Sequence, residues 1–328
     1  MWNIVSDSSC DLRMAGWDSP SVRFETVPLR IQVGTREFLD DDNLMVPDLL
    51  DAMAAEKSAA SSACPSPAAF ARAFEAGDRT VCFTISSNLS GTYNAAVMAR
   101  EMVLEEHPEK QICIIDSKST SGAMALLIYR ARELMEADTT GDFEGICNQL
   151  RLYQAALRTC FTLENFDNLI KNGRMRPLVG TLLHSLGIHV IADATPQGTI
   201  HVADKARGEA KTYRAITALM GASKDCTDAH VIVAHCENLA GAMKLLRRLC
   251  GPHRPGRGQP HHLSVRHAEG PDYRILTRTS AAGLWPAVFF ALCGRMARSF
   301  FAKFSRPCMK CENPETLMQN PDDCNTKE

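Results

Sequence analysis

Short apolar runs alternate with polar loops and helical stretches through the first half of the chain. Ile4-Val5 leads into Ser6-Asp7-Ser8-Ser9, Val81 to Ile85 into Ser86 to Thr92, and Ile112 to Ile115 into Asp116-Ser117 and then Ser121-Gly122. Strand, loop and helix in that repeating order predict parallel strands joined by crossover helices. Ligands of such sheets bind where the carboxyl ends of the strands open into loops, so the Ser-rich segments are expected to converge on one edge.

The second half has a different rhythm. The run from Leu163 to Ile170 suits a helix and ends at the breaker Lys171-Asn172-Gly173-Arg174. Ile188 to Ala192 and Thr199 to Ala203, separated by a turn containing Pro196-Gln197-Gly198, predict a β-hairpin. Glu209 to Met220 and Leu239 to Leu249 predict helices, with a strand from His230 to Ala234 between them. The expected fold is therefore α/β in two domains. The first is a parallel-sheet α/β domain over residues 1–158, and the second is a mixed-sheet α/β domain over 159–294, atypical after 250. Residues 295–328 form an extra tail, a candidate for disorder.

Composition adds constraints to this picture. Hydrophobic residues make up 45% of the 328, enough for a substantial core. The 36 basic residues nearly balance 38 acidic ones, so no global field draws the chain to nucleic acid or an anionic membrane, and any anion must be held locally. The first residues, Met1 to Asp7, resemble a strand rather than a secretory signal. Many of the 13 cysteines sit inside apolar runs, where reduced cysteine behaves as a small hydrophobe, so a cytoplasmic location is expected. The longest apolar stretch, Ala281 to Cys293, is too short to span a bilayer and contains Pro286, so no integral membrane segment is expected.

The segment Ile85-Ser86-Ser87-Asn88-Leu89-Ser90-Gly91-Thr92-Tyr93 carries the most chemistry. Ser90 falls near the expected start of a helix, where unpaired N–H groups and the positive end of the dipole favour an anion. Gly91 lets a ligand approach the backbone closely. The same residues also suit a plain helix cap, so this segment alone leaves both readings open.

Together with three other segments, in order, this one makes the chain resemble the DegV family. Val5 to Leu12 is similar to the family's opening strand and Asp-Ser loop. Ser62-Ala63-Cys64-Pro65-Ser66-Pro67, with Phe70 and Phe74, resembles its Thr-Ser-Gln-Pro-Ser segment and following helix. Ser87 to Tyr93 matches its second signature, and Lys171-Asn172-Gly173-Arg174-Met175 resembles its Gly-Gly-Arg loop. The resemblance implies a carrier, not an enzyme. It would bind a long-chain fatty acid, holding the carboxylate through Ser62 and Ser90 and the acyl chain in an interdomain tunnel. It would then present that ligand to a separate fatty acid kinase.

Gly91 and Thr92 complete the implied site, and Arg174 is a further candidate to steady the carboxylate by charge-assisted hydrogen bonds. Hydroxyls and backbone N–H groups suit a carboxylate in a place with no permanent countercharge. Asp7 is expected to cap a turn. No cofactor and no metal is expected.

Two other readings remain. A serine-dependent acyl hydrolase would need a base near Ser90, for which His184, His189 and His235 are candidates through the fold, but no Gly-x-Ser-x-Gly elbow or Ser-x-x-Lys surrounds it. A metal module would use Cys308 and Cys311 with Cys324. The resemblance also breaks near the C-terminus. Where the family carries His-Thr-Gly-Pro-Gly-Ala-Leu, this chain reads Thr277-Arg278-Thr279-Ser280-Ala281-Ala282-Gly283-Leu284. Either the headgroup site lacks that histidine, or the reading frame changes after Cys250. Codons read from the third base of Arg278 permit most of the missing segment.

Overall fold

The first strand, β1 (Trp2–Asp7), is buried along its whole length, as a central strand covered on both faces must be. It pairs in parallel with β2 (Val22–Val27) on one side. A small hairpin follows, β3 (Arg30–Val33) and β4 (Arg36–Leu39), then α1 (Val46–Ala55), the short β5 (Ser61–Ala63) and α2 (Pro67–Glu75). Strand β6 (Arg79–Thr84) takes the other side of β1, and after α3 (Thr92–Glu106) the strand β7 (Gln111–Asp116) extends the sheet to the order β2-β1-β6-β7, all parallel. This is the parallel sheet that the alternating pattern predicts. The computed structural model describes residues 1–12, 17–163, 166–176, 187–221, 231–236, 238–250, 263–267 and 288–293.

Two helices, α4 (Gly122–Ala137) and α5 (Phe143–Ala156), lead to β8 (Arg158–Leu163), which begins a second sheet. Its other elements are α6 (Asp167–Lys171), the hairpin β9 (Ile188–Ala194) and β10 (Ile200–Arg207), α7 (Glu209–Gly221), β11 (Val231–Cys236), α8 (Leu239–Cys250), β12 (Leu263–His267) and β13 (Val288–Cys293). The order is β10-β9-β8-β13-β11-β12. The β8, β9 and β10 pairings are antiparallel, whereas β13 is parallel to β8 and β11, and β12 to β11, so the sheet is mixed as expected.

Local chemistry explains several boundaries. Ser66 caps α2 by accepting from the Ala69 N–H at 3.3 Å, with Pro67 at the first helical position, and Asp142 caps α5 by accepting from Gly145 at 2.9 Å. The helix expected from Leu163 starts later. Leu163 is the last residue of β8, paired with Val190 of β9, and only Asp167–Lys171 is helical, because sheet pairing overrides the helical pattern there. The third sheet, β4-β3-β5, was not foreseen, since Ser61-Ser62-Ala63 has no apolar alternation of its own. The Cys308 to Cys324 module, the tail 295–328, His184 and the segment Thr277–Leu284 lie outside the described residues.

Helix α4 joins the layers. Every residue from Gly122 to Ile128 is buried, which leaves that stretch of the helix no polar face. It packs against β1, β2 and β6 of the parallel sheet and against β11 and β13 of the mixed one. One apolar cluster accordingly runs from Ile4, Val81 and Phe83 through Met124, Leu127 and Ile128 to Ile232. The opposite face of the parallel sheet, with Val5, Cys82 and Ile114, is covered by Phe70 and Phe74 of α2 and by Ala95, Ala96 and Ala99 of α3. Leu127→Ala is expected to lower unfolding free energy by about 3 kcal/mol, seen as a shifted urea midpoint with unchanged slope.

Candidate functional site

The loops that follow β1, β6 and β7 meet at one edge, and two strand-end carboxylates hold them. Asp7, at the end of β1, accepts from the Ser9 N–H at 2.9 Å and from the Ile85 N–H at 2.7 Å, and also pairs with the Ser9 hydroxyl. It is a cap and a strand-end tie, as expected. Burial, and after it the charge of Asp7, push the Cys82 thiol well above its usual range, so that cysteine stays a protonated core residue. Asp116, at the end of β7, accepts from the Ser87 N–H at 3.1 Å, the Ser87 hydroxyl at 2.6 Å and the Lys118 N–H at 2.9 Å. The loop that carries Ser90 is therefore fixed on both sides.

Ser90 precedes α3, whose capping position is Gly91. The Ser90 Oγ lies 2.8 Å from the Thr92 Oγ1 and accepts from the Thr92 N–H at 3.4 Å, while the Ser90 N–H donates to the Ser86 carbonyl at 3.1 Å. Ser90 and Thr92 thus form a hydroxyl pair at the helix start. Gly91 has φ −71°, open to any residue, and a methyl there would lie 3.7 Å from the Cys64 Sγ. That spacing sets the segment after Ser62 beside the segment after Ser90.

Ser62 is not in a loop, as its neighbours suggest, but in the edge strand β5, opposite Ile31 of β3. It is half-buried, and among the described residues its hydroxyl makes no hydrogen bond, so its donor and acceptors are uncommitted.

The Lys171–Arg174 loop ties the two serine segments together. The Asn172 side-chain amide donates to the Ala60 carbonyl at 3.0 Å, just before β5, and to the Asn168 carbonyl at 2.8 Å. The Arg174 Nε donates to the Leu89 carbonyl at 3.1 Å, next to Ser90, and its Nη1 bonds the Asn172 carbonyl. Arg174 is therefore a half-buried clamp that holds backbone, rather than a free surface cation. Asn172 carries the other half of this bridge, a side-chain task that its place in the Lys171–Arg174 breaker does not reveal.

The β9–β10 turn makes a second crossing. The Ser86 hydroxyl donates to the Gly198 carbonyl at 2.7 Å, and the Asn88 side-chain amide donates to the Gln197 carbonyl at 2.6 Å. Gly198 has φ +81°, and a methyl on it would meet the Ser86 Oγ at 2.3 Å and the Lys118 Cα at 2.9 Å. The Pro-Gln-Gly signal predicts the turn, but not its docking against Ser86. Histidines bear differently on hydrolysis. His235 is buried in β11 and His189 lies in β9, and among the described residues no imidazole bonds to Ser62 or Ser90.

Comparison with known proteins places this architecture in a family. The sequence profile described as an uncharacterised protein, DegV family, matches residues 1–255. A DegV domain-containing protein of Streptococcus pyogenes serotype M1 is 38% identical over 237 residues, which are 72% of this chain and 84% of that protein. The chain belongs to the DegV family. Among solved structures, a DegV family protein from Eubacterium eligens loaded with heptadecanoic acid is 30% identical, with a TM-score of 0.71 over 81% of this chain and 92% of that one. The Streptococcus pneumoniae fatty acid kinase (Fak) B3 protein loaded with linoleic acid is also 30% identical, with a TM-score of 0.72 over the same shares. A Ruminococcus gnavus DegV family protein refined with vaccenic acid is 31% identical, with a TM-score of 0.69 over 81% of this chain.

Gly198→Ala is expected to cost about 2 kcal/mol, because it combines a left-handed backbone with a clash against Lys118. Equilibrium urea unfolding measures it, and an unchanged midpoint would refute the docked turn.

Proposed function

We propose that this protein is a cytoplasmic carrier that binds a long-chain fatty acid at the strand-end edge. In this reading the Ser62 and Ser90 hydroxyls hold the carboxylate, with Gly91, Thr92 and the helix terminus behind them. Arg174 shapes the site by fixing the Leu89 carbonyl, and its remaining N–H groups are at hand for the headgroup. The acyl chain lies in a tunnel between the units of residues 1–158 and 159–294, and a separate fatty acid kinase acts on the presented carboxylate.

The observation that carries this reading is the bridge made by Asn172 and Arg174, which grips the backbone beside both serines at once. Kinship adds to it, because three similar solved structures were refined with fatty acids and one of them is a fatty acid kinase B3 protein. The chemistry is consistent. A carboxylate leaving water needs donors, and two hydroxyls with helix-end N–H groups supply them without a buried charge. Each methylene buried adds roughly 0.8 kcal/mol, so the chain supplies affinity while the serines fix orientation. The cysteines suit a reducing compartment, since Cys10, Cys82, Cys113, Cys147 and Cys160 are buried free thiols. No helix among the described residues is long and apolar enough to cross a membrane.

Native mass spectrometry of protein purified from bacteria is expected to show a fatty acid of about 16 to 18 carbons, a length at which methylene burial gives strong retention. The Ser62→Ala/Ser90→Ala double variant should lose that mass while staying folded. Well-folded wild-type protein without lipid would sink the proposal. Rapid hydrolysis of acyl esters that disappears in Ser90→Ala would replace it with the hydrolase reading.

A further inference from the structure

Away from the serine edge, two cysteines and an arginine form a cluster that the fatty-acid reading does not use. Cys113 lies on β7, the edge strand of the parallel sheet among the described residues, and Cys147 lies on α5, which covers that edge. Both side chains sit in one buried apolar cluster where α5 packs on β7. One turn further along α5, the Arg151 Nη2 donates to the Cys113 Sγ at 3.3 Å, while its Nη1 is held by the Asn148 Oδ1 at 2.9 Å. Cys147 is fully buried, Cys113 retains 5% exposure, and Arg151 reaches solvent.

Two other buried thiols, Cys160 and Cys82, behave in the opposite way. Burial raises Cys160 to about 12 and Cys82 well above its ordinary value. Cys113 instead lies below its ordinary value. The S–H of Cys147 is the largest cause, and with the smaller help of Arg151 and Arg100 it outweighs the opposing effects of burial and Glu144. The Cys147 proton is correspondingly harder to remove, because the Cys113 sulfur accepts it. Thiolate character at a sulfur near the surface, with a second thiol in contact, is the arrangement that peroxide-sensitive cysteines use.

We infer that Cys113 and Cys147 are an oxidisable pair, in which Cys113 reacts with hydrogen peroxide and Cys147 resolves the product to an intramolecular disulfide. The Cys113 thiolate attacks one peroxide oxygen, an S–O bond forms as the O–O bond breaks, and the departing hydroxide takes up a proton as water. The Cys147 sulfur then attacks the Cys113 sulfur. An S–S bond forms, the S–O bond breaks, and the second hydroxide leaves as water with the Cys147 proton. Two thiols lose two electrons in all, and one hydrogen peroxide becomes two waters. Arg151 is a positioning residue that holds the charged sulfur toward the surface. The link would tie α5 to β7 three residues before Asp116, the group that anchors the Ser87 loop.

Peroxide treatment of the reduced full-length chain, followed by alkylation, proteolysis and mass spectrometry, tests this. The expected product is a linked Cys113–Cys147 peptide pair that forms about tenfold faster than oxidation of the exposed Cys64. Arg151→Met should slow it by about tenfold, and Cys147→Ala should leave a sulfenic acid on Cys113 that dimedone traps. Circular dichroism checks that each variant is folded, and the wild-type mapping needs no substitution. The inference fails if Cys113 remains alkylatable while Cys64 oxidises, if Cys113 links to a different cysteine, or if folded Arg151→Met reacts at the wild-type rate.

Discussion

A helix that is apolar all round can be stable only between two other layers, and the first half of α4 is such a helix. From Gly122 to Ile128 every side chain is buried, with the parallel sheet on one side and β11 and β13 on the other. The two sheets must therefore stack through α4. That stacking, rather than any polar contact, brings the β9–β10 turn and the Lys171–Arg174 loop to the strand ends of the first sheet. The hydrogen bonds of Ser86, Asn88, Asn172 and Arg174 then fix a placement that apolar burial has already made.

Those hydrogen bonds share a chemical character. Ser86, Asn88, Asn172 and Arg174 all donate to backbone carbonyls of segments distant in sequence. A donor aimed at a carbonyl fixes the chain while leaving neighbouring hydroxyls available. Ser62 and the Ser90–Thr92 pair stand beside the chain so fixed. In the proposed function these neutral hydroxyls on rigid backbone would take an anion whose binding energy comes mostly from an apolar tail. The thiol cluster on β7 uses a different logic, in which a second thiol and a guanidinium together act on one sulfur.

Kinship and structure cover different lengths of the chain. The family profile ends at residue 255, yet the mixed sheet takes its central strand, β13, from Val288–Cys293. That strand is a continuous apolar run, which is what a parallel strand between β8 and β11 calls for. The apolar stretch noted in the sequence after Ala281 thus includes a strand at the middle of a sheet.

The periodicity of β1, β6 and β7 with their Ser-rich loops was sufficient to read the parallel sheet and the edge on which the loops converge, and the Pro196-Gln197-Gly198 turn to read a hairpin from Ile188 to Ala203, which the structure extends to Arg207, because those signals are local. Ser90 was legible for the same reason, since it stands where a strand, a glycine and a helix meet. Ser62 was legible only by likeness to a family. Its strand β5 has no pattern of its own and exists because β3 offers a pairing edge. The end of β8 at Leu163 and the late start of α6 were likewise decided by pairing with β9. The tasks of Asn172, of the Arg174 side chain and of the Cys113–Cys147–Arg151 cluster depend on contacts between elements far apart in the chain. Sequence alone determined which segments carry hydroxyls, charges and apolar faces. Only the tertiary structure decided which of them meet, because burial of α4 on both sides, a property of the whole chain, sets their distances.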